Sequence, residues 1–168
     1  SQSQMGGRTQ WKASPLVLRA LPWMGLVILV VGLRFVHLGY SEFQGDEAVI
    51  MLRAAAAIEG NEEQLFLHQK GPAEILIPLA GWRLSQEINE LWARVPFAWI
   101  GCLGVAAVVR LGSRWFDRRV GWIAGAILAI SGLHVAFSRI VQNQGFVVFM
   151  GLTALIVLDD FSRLGRKA

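Results

Sequence analysis

The chain has 168 residues, 54% of them hydrophobic, and a mean hydropathy of +0.47. A soluble domain is nearer 45–50% apolar, so the composition points to an integral membrane class and argues against an ordinary soluble core. The net charge of +4 does not indicate a nucleic-acid partner, because the basic residues fall in blocks between apolar runs, as the positive-inside rule produces.

The first apolar run, 16–38, is long enough to cross a bilayer, which takes roughly 17–25 mostly apolar residues. It is too long for a signal-peptide core and no A-x-A site follows it, so it reads as an uncleaved span. The stretch "YSEFQGDEAVIMLRAAAAIEGN" at 40–61 comes next. Ile50, Ala54, Ala57 and Ile58 recur at helical spacing, which predicts a helix from Asp46 to Ile58 that stops at Gly60. Asp46 and Glu47 open that helix, where its dipole favours negative charge. The bland account is an acidic helix start. The functional one is a general base or a metal ligand, Asp46, at the membrane surface. Adjacent residues point about 100° apart on a helix, so the two carboxylates can serve different partners, one of them a metal or an arginine.

The next cluster is "HQKGP" at 68–72, with His68 and Lys70 before a proline suited to a first helical turn. Lys70 is a candidate phosphate-binding cation. The segment 71–84 carries Glu74, Pro78 and Arg83 and reaches only about 21 Å as a helix, so it predicts an interfacial or re-entrant element. Three further spans follow, at 92–112, 120–137 and 145–161. With 71–84 on the surface, ten of the sixteen Lys and Arg share one side and nine of the twelve acids the other. The expected fold is therefore all-α and membrane-integral, with four transmembrane helices. Its external loop, 39–91, carries amphipathic juxtamembrane helices, and the segments 1–15 and 162–168 are cytoplasmic. The expected location is the cytoplasmic membrane of a bacterium.

Trp23 and Trp115 are expected as anchors at one interface and Trp82 and Trp92 at the other. Gly121 and Gly125 form G-x-x-x-G with Ala129 one turn on, a close-packing face for a neighbouring helix and a contact through which other membrane subunits would bind. Arg34 and Arg139 end their spans in the external layer, with His37 and His134. Polar residues at that depth often face a bundle interior. Arg34, His68 and Asn143 are candidates to line a polar cavity, although an arginine such as Arg139 usually just snorkels to headgroups.

Taken in order, "GDEA" at 45–48, "HQKGP" at 68–72, "ARVPFAWIG" at 93–101 and "GSRWFDRRVGWIAGAILAISGLHVAFSRI" at 112–140 resemble the GT-C superfamily of membrane glycosyltransferases. The likeness is to its dolichyl-phosphate-mannose–protein mannosyltransferases and lipid A aminoarabinose transferases. The resemblance implies an inverting transfer of a sugar from a polyprenyl-phosphate carrier to an acceptor at the outer membrane face. It makes Asp46 the base or metal-site acid and Glu47 its partner. Lys70 and Arg139 become ligands of the donor phosphate, with a divalent metal ion as the corresponding cofactor. The chain departs from the pattern at Gln142, Asn143 and Gln144, where relatives often carry a second acid; amides carry no charge. The expectation is the N-terminal portion of a larger enzyme. The alternative is a non-catalytic structural subunit of a larger membrane complex that retains the fold.

Overall fold

The computed structural model describes residues 15–43, 45–65 and 72–165, without the side chains of 15–20 and 65. His68 and Lys70 lie outside the described residues, as do residues 1–14 and 166–168. The described residues are all-helical: α1 (Pro15–Phe35), α2 (Asp46–Ile58), a 3-10 turn (Glu62–Leu65), α3 (Ala73–Ser85), α4 (Glu90–Trp115), α5 (Arg118–Ile130), α6 (Gly132–Phe137) and α7 (Asn143–Gly165). Two of these, α4 and α7, are long and apolar enough to cross a membrane by length and composition; Leu21–Phe35 is a shorter apolar helical stretch.

The helix that pattern predicts over 46–58 has those bounds, and Gly60 follows it at φ 102. That backbone region is open to glycine and costly for L residues. The segment expected to be too short to cross forms α3, which at 13 residues is about 20 Å long. The run 120–137 departs from expectation. It is one apolar stretch, but the helix breaks at Ser131, whose ψ is 114. A Ser-Gly pair, Ser131 and Gly132, sits at the break, and such pairs are a known cause of sharp kinks.

Local signals fix the other ends. Asn89 caps α4 through its side chain, which accepts from the Trp92 N–H at 2.9 Å. Asp117 caps α5, accepting from the Arg119 and Val120 N–H groups at 2.7 and 2.9 Å. Only Phe116 and Asp117 separate α4 from α5, so the two form a tight antiparallel hairpin.

α4 is the central helix, contacted by α1, α3, α5, α6 and α7. The α5–α6 arm runs back along it, and α7 returns in the direction of α4. Gly121 and Gly125 are buried, and a Cβ on either would run into Ser113 or Val109 of α4. The close-packing face is thus filled within the chain. This corrects its expected use as a contact for other subunits: the short Phe116–Asp117 link brings α4 onto it first. Ala129 joins Val30 and Val105 in a small mid-bundle core.

A second core lies at the start of α4. Ile50, Met51 and Ala54 of α2 and Ile75 and Trp82 of α3 pack on Ala93, Phe97 and Val141. Trp82 is only 3% exposed, and its Nε1–H donates to the Asn89 carbonyl at 2.8 Å. It is a core residue rather than an interfacial anchor, because α2 covers the face that a lone surface helix would leave open.

Candidate functional site

The bundle has two ends. One gathers the start of α2, the starts of α3 and α4, the end of α1 and the segment 138–143. The other carries the α4–α5 turn and the end of α7.

At the first end the two adjacent carboxylates divide. Asp46 is exposed, whereas Glu47 is buried at 5% exposure. Glu47 receives Arg94 in a two-point pair, Nε to Oε1 at 2.9 Å and Nη2 to Oε2 at 2.7 Å. Its Oε1 also accepts the Val141 N–H at 2.9 Å. Arg94, 2% exposed, donates further to the carbonyls of Leu38, Ser41 and Glu42 at 3.1, 2.8 and 3.3 Å. The Phe43 ring lies 5.2 Å from its guanidinium carbon. One guanidinium thus ties the loop after α1, the first turn of α2 and α4 into a single unit. Planar two-point pairing of this kind suits arginine and would be lost with lysine.

Glu47 is therefore a structural residue in this arrangement, and its expected catalytic role is corrected: both of its oxygens are taken up by Arg94 and a backbone amide. Asp46, one position and about 100° away, faces outward. Among the described residues no group of three or more His, Cys, Asp and Glu side chains gathers as a metal site. The described residues therefore do not gather a three-ligand set of those types around Asp46.

Glu74, 1% exposed, accepts the Asn143 N–H at 2.6 Å. A carboxylate from α3 thereby satisfies a free amide at the start of α7, where negative charge is favoured. Asn143 is half-buried at that helix start. Arg139 is also half-buried and donates to the Leu33 and His37 carbonyls at 2.9 and 3.2 Å. It caps the end of α1, a favourable place for a cation. Asp46, Glu47, Arg139 and Asn143 therefore share one end of the bundle.

Arg34 does not line an open cavity. It is 0% exposed in the bundle interior, where Nη1 donates to the Val30 and Ala129 carbonyls at 3.2 and 3.4 Å. Nη2 lies 2.8 Å from His134 Nδ1. A guanidinium has only donors, so His134 accepts at Nδ1 and carries its proton on Nε2. The Arg34 Nε has no partner among the described residues. Replacing His134 by Ala is expected to cost about 1–3 kcal/mol, because it leaves a buried guanidinium donor unmet. His134→Gln, which keeps an acceptor, should recover part of that loss in thermal unfolding of the detergent-solubilised protein.

Arg94 and Glu74 were not singled out as site residues by pattern. Their partners are 47 and 69 residues away, and only the unusual cost of an ionic group inside an apolar helix could have marked Arg94.

No protein-family model, no curated protein and no solved structure matches the chain.

Proposed function

We propose that this chain is a membrane module of an inverting glycosyltransferase of the GT-C type, which moves a sugar from a polyprenyl-phosphate carrier to an acceptor at the outer membrane face. In this reading α1, α4, the α5–α6 arm and α7 are the four spans. Their lengths of 21, 26, 20 and 23 residues give about 30–39 Å of helix, enough for a hydrocarbon core of about 30 Å. The end bearing Arg110, Arg114, Arg118, Arg119 and Arg163 faces the cytoplasm, and α2 and α3 lie on the outer surface. Ile123, Ile127 and Ile130, each at least 60% exposed, form one stripe of α5 turned to lipid.

The observation that carries the reading is the division of the acidic pair. Glu47 is held by Arg94 and Val141, which fixes the first turn of α2 and leaves Asp46 exposed at the end that also bears Arg139. Asp46 would take the proton from an acceptor hydroxyl as its oxygen attacks the anomeric carbon. The bond from that carbon to the phosphate oxygen breaks on the opposite face, and the carrier phosphate leaves with the bonding pair. Lys70 and Arg139 stabilise the charge that develops on it. A phosphate is already a good leaving group and needs no general acid.

In the full-length gene product, Asp46→Asn is expected to abolish sugar transfer to the acceptor while membrane insertion and yield stay unchanged. Full transfer by that variant would remove Asp46 from the chemistry.

One observation favours a second reading. α7 has no buried residue, and Val147, Val157, Leu158 and Phe161 are each at least 60% exposed. Such a flank suits a structural subunit packed against other membrane helices. Co-purification with other membrane proteins in fixed stoichiometry, with no transfer activity, is the result that reading requires.

A further inference from the structure

The end of the bundle away from Asp46 holds a second feature. A cleft of about 530 Å³ opens among α1, α4 and α5, lined by Trp23, Arg110, Ser113, Arg114, Arg118 and Trp122. Trp23 and Trp122 meet edge to face, with ring centroids 4.3 Å apart. Arg114 is paired with Asp159 at 2.9 Å and Arg110 with Asp160 at 2.8 Å. Arg118 is exposed and has no carboxylate partner among the described residues. Five arginines crowd this end against Asp117, Asp159 and Asp160, so it keeps an excess of positive charge.

A narrow apolar groove of about 160 Å³ runs from this cleft along the α1–α4 seam, between Val27 and Val30 on one side and Trp99 and Leu103 on the other. Cleft and groove share Trp23 and Ala106. From Ala106 back to Trp99 the groove is about 10 Å long. A cationic mouth with hydrogen-bonding arginines and tryptophan rims, continuous with an apolar channel, matches the two parts of an amphiphile. A free anion would use only the mouth, and a neutral lipid only the channel.

We propose that this end binds an anionic phospholipid of the membrane, its phosphate at Arg118 in the cleft and the head-proximal part of one acyl chain in the α1–α4 groove. Arginine is suited to a phosphate at this boundary. Tryptophan rings prefer the headgroup level. The site shares with the glycosyltransferase reading only residence in a bilayer. It lies at the opposite end from Asp46, so loss of one leaves the other standing.

The test is native mass spectrometry of the purified full chain, released from detergent micelles doped with dioleoyl phosphatidylglycerol, with dioleoyl phosphatidylcholine or with inorganic phosphate. The wild type should retain one phosphatidylglycerol in preference to phosphatidylcholine. Arg118→Gln should lower that preference roughly fivefold, as expected for one cation near a charged headgroup. Ala106→Trp, placed at an exposed position where it fills the groove, should displace the lipid while circular dichroism and melting stay like the wild type. Equal retention of both lipids, full phosphatidylglycerol retention by Ala106→Trp, or displacement of the lipid by millimolar phosphate would each overturn the proposal.

Discussion

Arg94→Leu is expected to detach the α2–α3 layer from the bundle and to lower stability by about 3–5 kcal/mol. The reason is asymmetric. Removing the guanidinium leaves Glu47, buried at 5% exposure, with a full charge and only the Val141 amide to meet it. The carbonyls of Leu38, Ser41 and Glu42 lose their donor as well. The consequence spreads beyond one contact, because that guanidinium joins α4, the first turn of α2 and the loop between α1 and α2. Limited proteolysis should then cut within α2 and α3, Asp46–Ile58 and Ala73–Ser85, faster than in the wild type. The double variant Glu47→Leu, Arg94→Leu should recover much of the loss, since an apolar pair can replace a buried ion pair at little cost. The unmet carbonyls keep that recovery incomplete. An Arg94→Leu protein that melts with the wild type and resists the protease would refute the latch.

The second large effect is at the α4–α5 crossing. A Cβ on Gly121 would sit 2.5 Å from the Ser113 nitrogen and 2.6 Å from the Val109 oxygen. Both are backbone atoms of a packed helix and cannot step aside, so Gly121→Ala is expected to force the helices apart at about 1–3 kcal/mol or more. Gly125→Ala should cost less, because its nearest obstacle is a Val109 methyl group, which side-chain adjustment can relieve. Gly151→Ala, within α7, is the control: nothing lies within 4 Å of its would-be Cβ, and the change should be nearly neutral or slightly stabilising. Chemical denaturation in detergent ranks the three. If Gly121→Ala were as mild as Gly151→Ala, the close crossing would be wrong.

Local features of this chain were legible because local forces set them. The helix over 46–58 follows from its apolar spacing and its glycine stop. The short helix Ala73–Ser85, too brief to cross a bilayer, follows from the length of its apolar run and the charges within it. The break at Ser131 was hidden, since an apolar run looks continuous to any count of hydrophobic residues while the backbone responds to a Ser-Gly pair within it. The small-residue face at Gly121 and Gly125 was visible, but its partner was not. G-x-x-x-G states how closely two helices approach and says nothing of which helix comes.

The candidate site was half legible for a similar reason. Neighbouring carboxylates on a helix must point apart, so different fates for Asp46 and Glu47, one of them an arginine, were readable. Which acid takes the arginine depends on Arg94, 47 residues further on, and on how α4 packs. Arg34 was readable as facing the bundle interior but not as a fully enclosed residue bonded to His134, because that contact spans 100 residues.

The Glu47 latch also sets an order of events during synthesis. Its two donors are encoded far downstream: Arg94 follows by 47 residues and Val141 by 94. At roughly 5–20 residues per second, some 5–20 seconds on that scale separate the emergence of Asp46 from that of the amide which completes its neighbour's socket. Asp46 therefore takes up its fixed position only once the chain leading into α7 is being made, and a ribosome stalled before that point leaves Glu47 without its Val141 partner.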